Sequence, residues 1–170
     1  MARRTKKIGS PLSRSEIVTV RLDPKLRYVA ELAARKQRRT LSSFIEWAVE
    51  QSLATLQLSS VEYAEPAWKE SDSLWDVDEA DRFVKLAVHY PDLLTHEEQV
   101  LWKVIRESGY FWKGRHDKDG VWIWNPSATS VIFDRVRDEW DTLKAIAGGD
   151  RDMAGLIPVI RPKEPDDIPF

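Results

Sequence analysis

The sequence predicts a mainly α fold with short β segments (α+β), built as a small N-terminal domain and a C-terminal helical domain carrying one β-hairpin. Three observations predict it. Residues 17–22 (IVTVRL) alternate in the manner of a strand. Apolar residues elsewhere recur at helical spacing behind the capping residues Asp23, Thr40 and Thr95. Residues 110–124 place two short aromatic runs on either side of an HDKDG turn.

The composition is that of a globular chain. It is 42% hydrophobic and 32% charged, with eight tryptophans among 170 residues, which excludes a low-hydrophobicity disordered class. No apolar run approaches the roughly 20 residues that span a bilayer, and the basic start is not followed by an apolar signal core. The absence of cysteine excludes disulfides, thiolate metal sites and a cysteine nucleophile. The expectation is a cytoplasmic protein, bacterial or carried by a phage or plasmid, with no membrane partner. The overall charge of -2 hides an asymmetry. Residues 1–40 hold twelve Lys/Arg against three Asp/Glu, a net of +9, and residues 41–170 hold fourteen against twenty-five, a net of -11. A basic end on an acidic body suits a segment that meets polyphosphate.

The elements follow in order. Residues 1–14 are basic, with Gly9, Pro11 and no periodicity, and read as a flexible arm. In the strand, Val18, Val20 and Leu22 share one face and Ile17, Thr19 and Arg21 the other. Asp23-Pro24 pairs an N-cap residue with proline at the first helical position. Leu26, Val29, Ala30 and Ala33 then form an apolar stripe on a helix running to about Lys36. Gln37, Arg38 and Arg39 break it, and Thr40 caps a second helix whose apolar face includes Leu41, Phe44, Ile45, Ala48, Val49 and Leu53. A lone six-residue strand cannot satisfy its own backbone groups, and two short helices cannot enclose a core. Antiparallel pairing with the same strand of a second copy answers both needs, so a homodimer is expected. Its core is expected from Val18, Val20, Leu22, Leu26, Val29, Ala30, Ala33, Ile45 and Val49.

The run IVTVRLDP, the helix through AELAARKQ, the turn RRT and the helix LSSFIEWAVEQSL resemble the ribbon-helix-helix (Arc/MetJ/CopG-type) DNA-binding proteins. The resemblance covers about 40 of the 170 residues, within 15–56, and rests on a pattern of apolar positions and caps. It implies an intermolecular β-ribbon in the major groove of double-stranded DNA, with Ile17, Thr19 and Arg21 facing base edges. Arginine can pair bidentately with guanine, and threonine can offer its hydroxyl or its methyl. Ile17 departs from the polar residue often found at its place. The resemblance also implies a phosphate grip by the start of the second helix at Thr40, Leu41 and Ser42, which the free N–H groups of a helix start support. Arg3, Arg4, Lys6, Lys7, Arg38 and Arg39 would add salt-sensitive affinity for phosphates. Phe44 and Trp47 stand where small members of the family carry polar residues, and this extra ridge needs covering.

Residues 57–75 mix Ser, Glu and Pro with scattered aromatics and read as a linker. The C-terminal domain, residues 76–148, is expected to hold a helix up to Tyr90, a helix opened by the Thr95/Glu98 capping box, the hairpin, and one last helix from Asn125 to Gly148. The tail 149–170 is Pro-rich and expected to be extended. Asp117, Asp119 and Gly120 resemble part of a calcium loop, but Arg115 and Pro126 fall on its ligand positions, so the segment reads as a turn. His89, His96 and His116 lack a common ligand spacing, and no phosphate loop or nucleophile elbow occurs. No metal, cofactor or enzymatic activity is expected. Trp112, Trp122 and Trp124 favour core over a ligand stripe. Lys103, Arg106, Lys113, Arg115 and Lys118 raise a winged-helix-like alternative that the acidic surroundings disfavour.

These readings converge on a sequence-specific transcriptional repressor, a homodimer able to form higher oligomers on DNA. The alternatives are an antitoxin that autoregulates its operon while its C-terminal part masks a toxin, and an accessory protein of plasmid partition or conjugation. A protein partner for the C-terminal domain is compatible with each.

Overall fold

The computed structural model describes residues 17–59 and 64–152, so the arm carrying Arg3, Arg4, Lys6 and Lys7, and the tail beyond residue 152, lie outside the described residues. The chain divides into two units, Met1–Ser73 and Leu74–Phe170. Mainly helical elements and one two-stranded antiparallel sheet make it α+β at the coarse level.

In the first unit, Asp23 opens α1 (Pro24–Lys36) by accepting from the N–H groups of Lys25 and Leu26 at 2.9 and 3.3 Å. The helix ends in a Schellman turn. Arg39 donates to the Ala34 carbonyl at 2.9 Å and Arg38 to that of Arg35 at 3.0 Å, with Arg38 left-handed at φ 56°. Thr40 then caps α2 (Leu41–Leu53), its hydroxyl accepting from Ser43 N–H at 3.2 Å. The two helices pack on each other.

The segment read as a linker is more structured than its composition suggests. Gln57 and Pro66 form an antiparallel bridge, Ala67 N–H donates to the Leu56 carbonyl at 2.7 Å, and α3 occupies Ala67–Leu74. The hydroxyls of Ser71 and Ser73 bond back to the carbonyls of Trp68 and Glu70, a pattern that lets serine sit inside a short helix.

The second unit encloses its own core. Asp78 caps α4 (Glu79–His89), and Pro91 begins a 3-10 turn that ends it. Lys85 bonds the Asp76 carboxylate at 2.8 Å and, with the Asp78 N–H, holds that carboxyl below its ordinary range. Thr95 and Glu98 make both bonds of a capping box on α5 (His96–Glu107), which buries Leu101, Val104 and Ile105. β1 (Gly114–His116) pairs with β2 (Trp122–Trp124) in the register Gly114↔Trp124, Arg115↔Ile123 and His116↔Trp122. The HDKDG turn is closed by Asp117, whose carboxylate accepts from Asp119 and Val121 N–H at 2.9 and 2.8 Å.

The C-terminal end of α5 explains the tryptophans. Trp112 Nε1 donates to the Ile105 carbonyl at 2.9 Å, Trp124 Nε1 to that of Arg106 at 3.2 Å, and Trp122 Nε1 to that of Gly109 at 3.2 Å. Two of these carbonyls lie in the last turn of the helix, where no further helical turn supplies a donor, although that of Ile105 also accepts from Ser108 N–H at 3.3 Å. The fit demands glycine: a Cβ on Gly109 would lie 2.7 Å from the Trp124 ring, and one on Gly114 would lie 2.3 Å from the Ile123 carbonyl oxygen.

The expected single last helix is instead two. Val131 is drawn into an antiparallel bridge with Trp112, flanked by Lys113 N–H to the Ser130 carbonyl and Ile132 N–H to that of Phe111. Residues 125–131 therefore form a turn, tied by the Ser127 and Ser130 hydroxyls, before α6 (Phe133–Asp138) and α7 (Trp140–Ala147) begin. Val136 and Leu143 from these helices are fully buried, and α7 packs on α5. Asp81 on α4, itself buried, takes a bidentate ion pair from Arg137 on α6. That hydrogen bonding raises the already high pKa of the guanidinium.

Candidate nucleic-acid interface

Residues 17–22 lie in no helix or strand and have no ladder partner among the described residues, so the expected strand is not formed within the single chain. Neither side of it is covered: Ile17 is 99% exposed, Val18 79% and Val20 59%. Thr19 and Arg21 are exposed, and only Leu22 is half-buried. An exposed run of β-branched residues whose backbone has no ladder partner offers an edge to another strand.

The helix behind this segment is also partly uncovered. Round α1, the residues Val29, Ala33, Leu26, Ala30 and Ala34 follow one another at steps of about 20–40°, an apolar arc of about 140°. Ala30 and Ala34, at one end of the arc, are buried. Leu26 and Val29 are more than half exposed, and Ala33 lies between. On α2 no residue is buried; Ile45 is half-covered and Val49 exposed. Of the nine residues expected in a dimer core, the single chain buries Ala30 alone. Tyr28 and Leu32, four apart on α1, are exposed as well and were not among the residues singled out by the sequence pattern.

The turn between the helices gathers the cations. Arg38, Arg39, Thr40 and Ser42 are exposed and Leu41 is half-buried. The N–H groups of Leu41 and Ser42 head α2, where no intrahelical acceptor exists, and Thr40 Oγ1 is engaged with Ser43. The Arg39 guanidinium lies over the Trp47 ring, 5.5 Å from its centroid, and Trp47 meets Phe44 at 5.6 Å. The aromatic ridge on α2 is thus partly covered from within its own unit, by a contact that spacing alone does not reveal. An arginine held against an indole face keeps its N–H edges available for an anion.

Among the described residues, no group of three or more His, Cys, Asp or Glu side chains could hold a metal ion, and no helix is long and apolar enough to cross a membrane. Trp112 and Trp124 are buried in the core of the second unit, and Trp122 packs beside them. The chain matches no protein-family model, no curated protein and no solved structure, so the interface rests on its own geometry.

Proposed function

We propose that this chain is a sequence-specific DNA-binding protein, a transcriptional repressor that acts as a homodimer through an intermolecular β-ribbon. One observation carries the reading. Residues 17–22 lie exposed and without a ladder partner among the described residues, and the adjoining half of the α1 stripe is exposed. A second copy related by a twofold axis supplies both missing partners at once. It gives the segment an antiparallel strand, and it gives Val18, Val20, Leu26 and Val29 an apolar surface. Pairing buries the Val18/Val20 side and turns Thr19 and Arg21 outward as a two-stranded ribbon, a shape the major groove admits. Arg38, Arg39 and the start of α2 then supply phosphate contacts on either flank.

Sedimentation and selection from a randomised duplex library test this together. The expected result is a dimer at micromolar concentration, enrichment of a repeated or palindromic site, and affinity that falls steeply with salt. Arg21→Ala is expected to lose about 1–3 kcal/mol of discrimination at one base position per half-site. A folded monomer at micromolar concentration, or enrichment of no sequence, would overturn the reading.

A further inference from the structure

Residues 74–152 contain sixteen Asp/Glu and eleven Lys/Arg, a net of -5. The cations fall into two sets. Six are used inside the fold, among them Arg137 on Asp81, Lys85 on Asp76 and Arg135 on the Tyr110 carbonyl. The other five are Lys103, Arg106, Lys113, Arg115 and Lys118, all exposed. Lys113 reaches the Thr129 carbonyl at 3.3 Å, but the side chains of the other four have no ion pair, hydrogen bond or ring contact among the described residues.

In an acidic domain, unpaired cations confined to one stretch of sixteen residues are an asymmetry that random solvation does not produce. Only Glu107 and Asp117 oppose them within that stretch, and the Asp117 carboxylate is turned into the hairpin turn. Trp124 Nε1 on the Arg106 carbonyl and Trp122 Nε1 on the Gly109 carbonyl tie β2 to the end of α5 and the turn after it, so the cations lie on neighbouring elements, Lys103 and Arg106 on α5 and Lys113, Arg115 and Lys118 on or beside the hairpin. Arg115 lies opposite Ile123, on the hairpin face away from Trp122 and Trp124.

We propose that this basic rim is a second contact surface for the phosphate backbone of duplex DNA, indifferent to base sequence. The identity of the polyanion rests on the DNA-binding reading of the first unit. The make-up of the rim favours phosphate over a protein surface. Protein interfaces centre on apolar and aromatic residues and are depleted in lysine. Here Ile123, 37% exposed, is the sole large apolar residue of the hairpin among those exposed. Polar, strongly positive surfaces are the mark of nucleic-acid contact.

The test uses the full chain with Lys103→Gln, Arg106→Gln, Arg115→Gln and Lys118→Gln combined; Lys113 is left in place because of its bond to Thr129. Fluorescence polarisation on the duplex selected by the wild type is read from 50 to 200 mM salt, with thermal melting followed by circular dichroism. The slope of log K against log salt is expected to shrink by about 3.6 per protomer, since each phosphate contact contributes about 0.9. Affinity at the upper salt limit is expected to fall at least about tenfold, with the preferred sequence unchanged. A slope within one unit of the wild type, in a variant that melts normally, overturns the proposal and leaves the first unit's reading intact. Loss of binding to poly-glutamate with no change on DNA overturns it in favour of an acidic protein partner. Loss of DNA binding here, with Arg21→Ala neutral, supports the rim and removes the reading of the first unit. If the combined variant melts early, the single reversals Arg115→Glu and Lys118→Glu read the same slope.

Discussion

The two units are written in the same alphabet of capped, amphipathic helices, yet one finishes its core and the other does not. In the second unit α4, α5, α6 and α7 bury their apolar faces on one another, and Trp112, Trp122 and Trp124 find carbonyls and Asp81 finds Arg137, while Trp140 Nε1 is buried without a partner among the described residues. In the first unit α2 buries no residue and α1 buries two alanines. An apolar stripe therefore forecasts that a surface will be covered; it does not say whose atoms will cover it. That distinction is what separates a self-contained domain from half of an interface.

The largest effect expected from breaking this comparison is in the second unit. Trp112→Ala removes a fully buried side chain and one of the two donors to the Ile105 carbonyl, leaving Ser108 N–H as the other. A loss of about 3–5 kcal/mol in denaturant unfolding is expected. Arg137→Ala leaves the Asp81 carboxylate buried without its partner. Breaking such a pair costs about 3–5 kcal/mol in full burial, but the Arg137 side chain is 38% exposed, so about 2 kcal/mol is expected after solvent screening.

The first unit behaves differently if a second copy covers it. Val29→Ala at an exposed position changes stability by under about 0.5 kcal/mol in a monomer. Between two copies the same change costs about 1 kcal/mol or more, and the melting temperature varies with protein concentration. Measuring the melt across a hundredfold dilution separates the two cases. The smallest effect concerns Arg38, whose left-handed conformation disfavours a side chain. Arg38→Gly is expected to stabilise the first unit by about 1 kcal/mol. It also removes one cation and so shrinks the salt slope of DNA binding by about 0.9 if Arg38 touches a phosphate. A variant that melts higher and binds less steeply would tie the turn to the interface; one that only melts higher would confine Arg38 to the fold.

What the sequence made legible was local. Asp23, Thr40 and Thr95 cap the helices that follow them because capping needs only residues within three positions. The break before α6 was not legible, because it is imposed by the bridge from Val131 to Trp112, nineteen residues away. The helix α3 hid behind a Ser, Glu and Pro composition typical of linkers, and the serine hydroxyl bonds that accommodate it leave no pattern in sequence. Around the interface, residues 17–22 alternate yet form no strand in the single chain, and the stacking of Arg39 on Trp47 joins residues eight apart across a turn.

The indole cluster at the end of α5 also gives the molecule its own optical gauge. Buried indoles emit at shorter wavelengths than exposed ones, and an aqueous quencher such as iodide reaches Trp68 and Trp75, both more than half exposed, far more readily than Trp112 or Trp124. The quencher-resistant blue emission is thus weighted towards the seam between helix and hairpin. A hairpin lifting from its seat would shift that colour in an unlabelled protein, before the rest of the fold gives way.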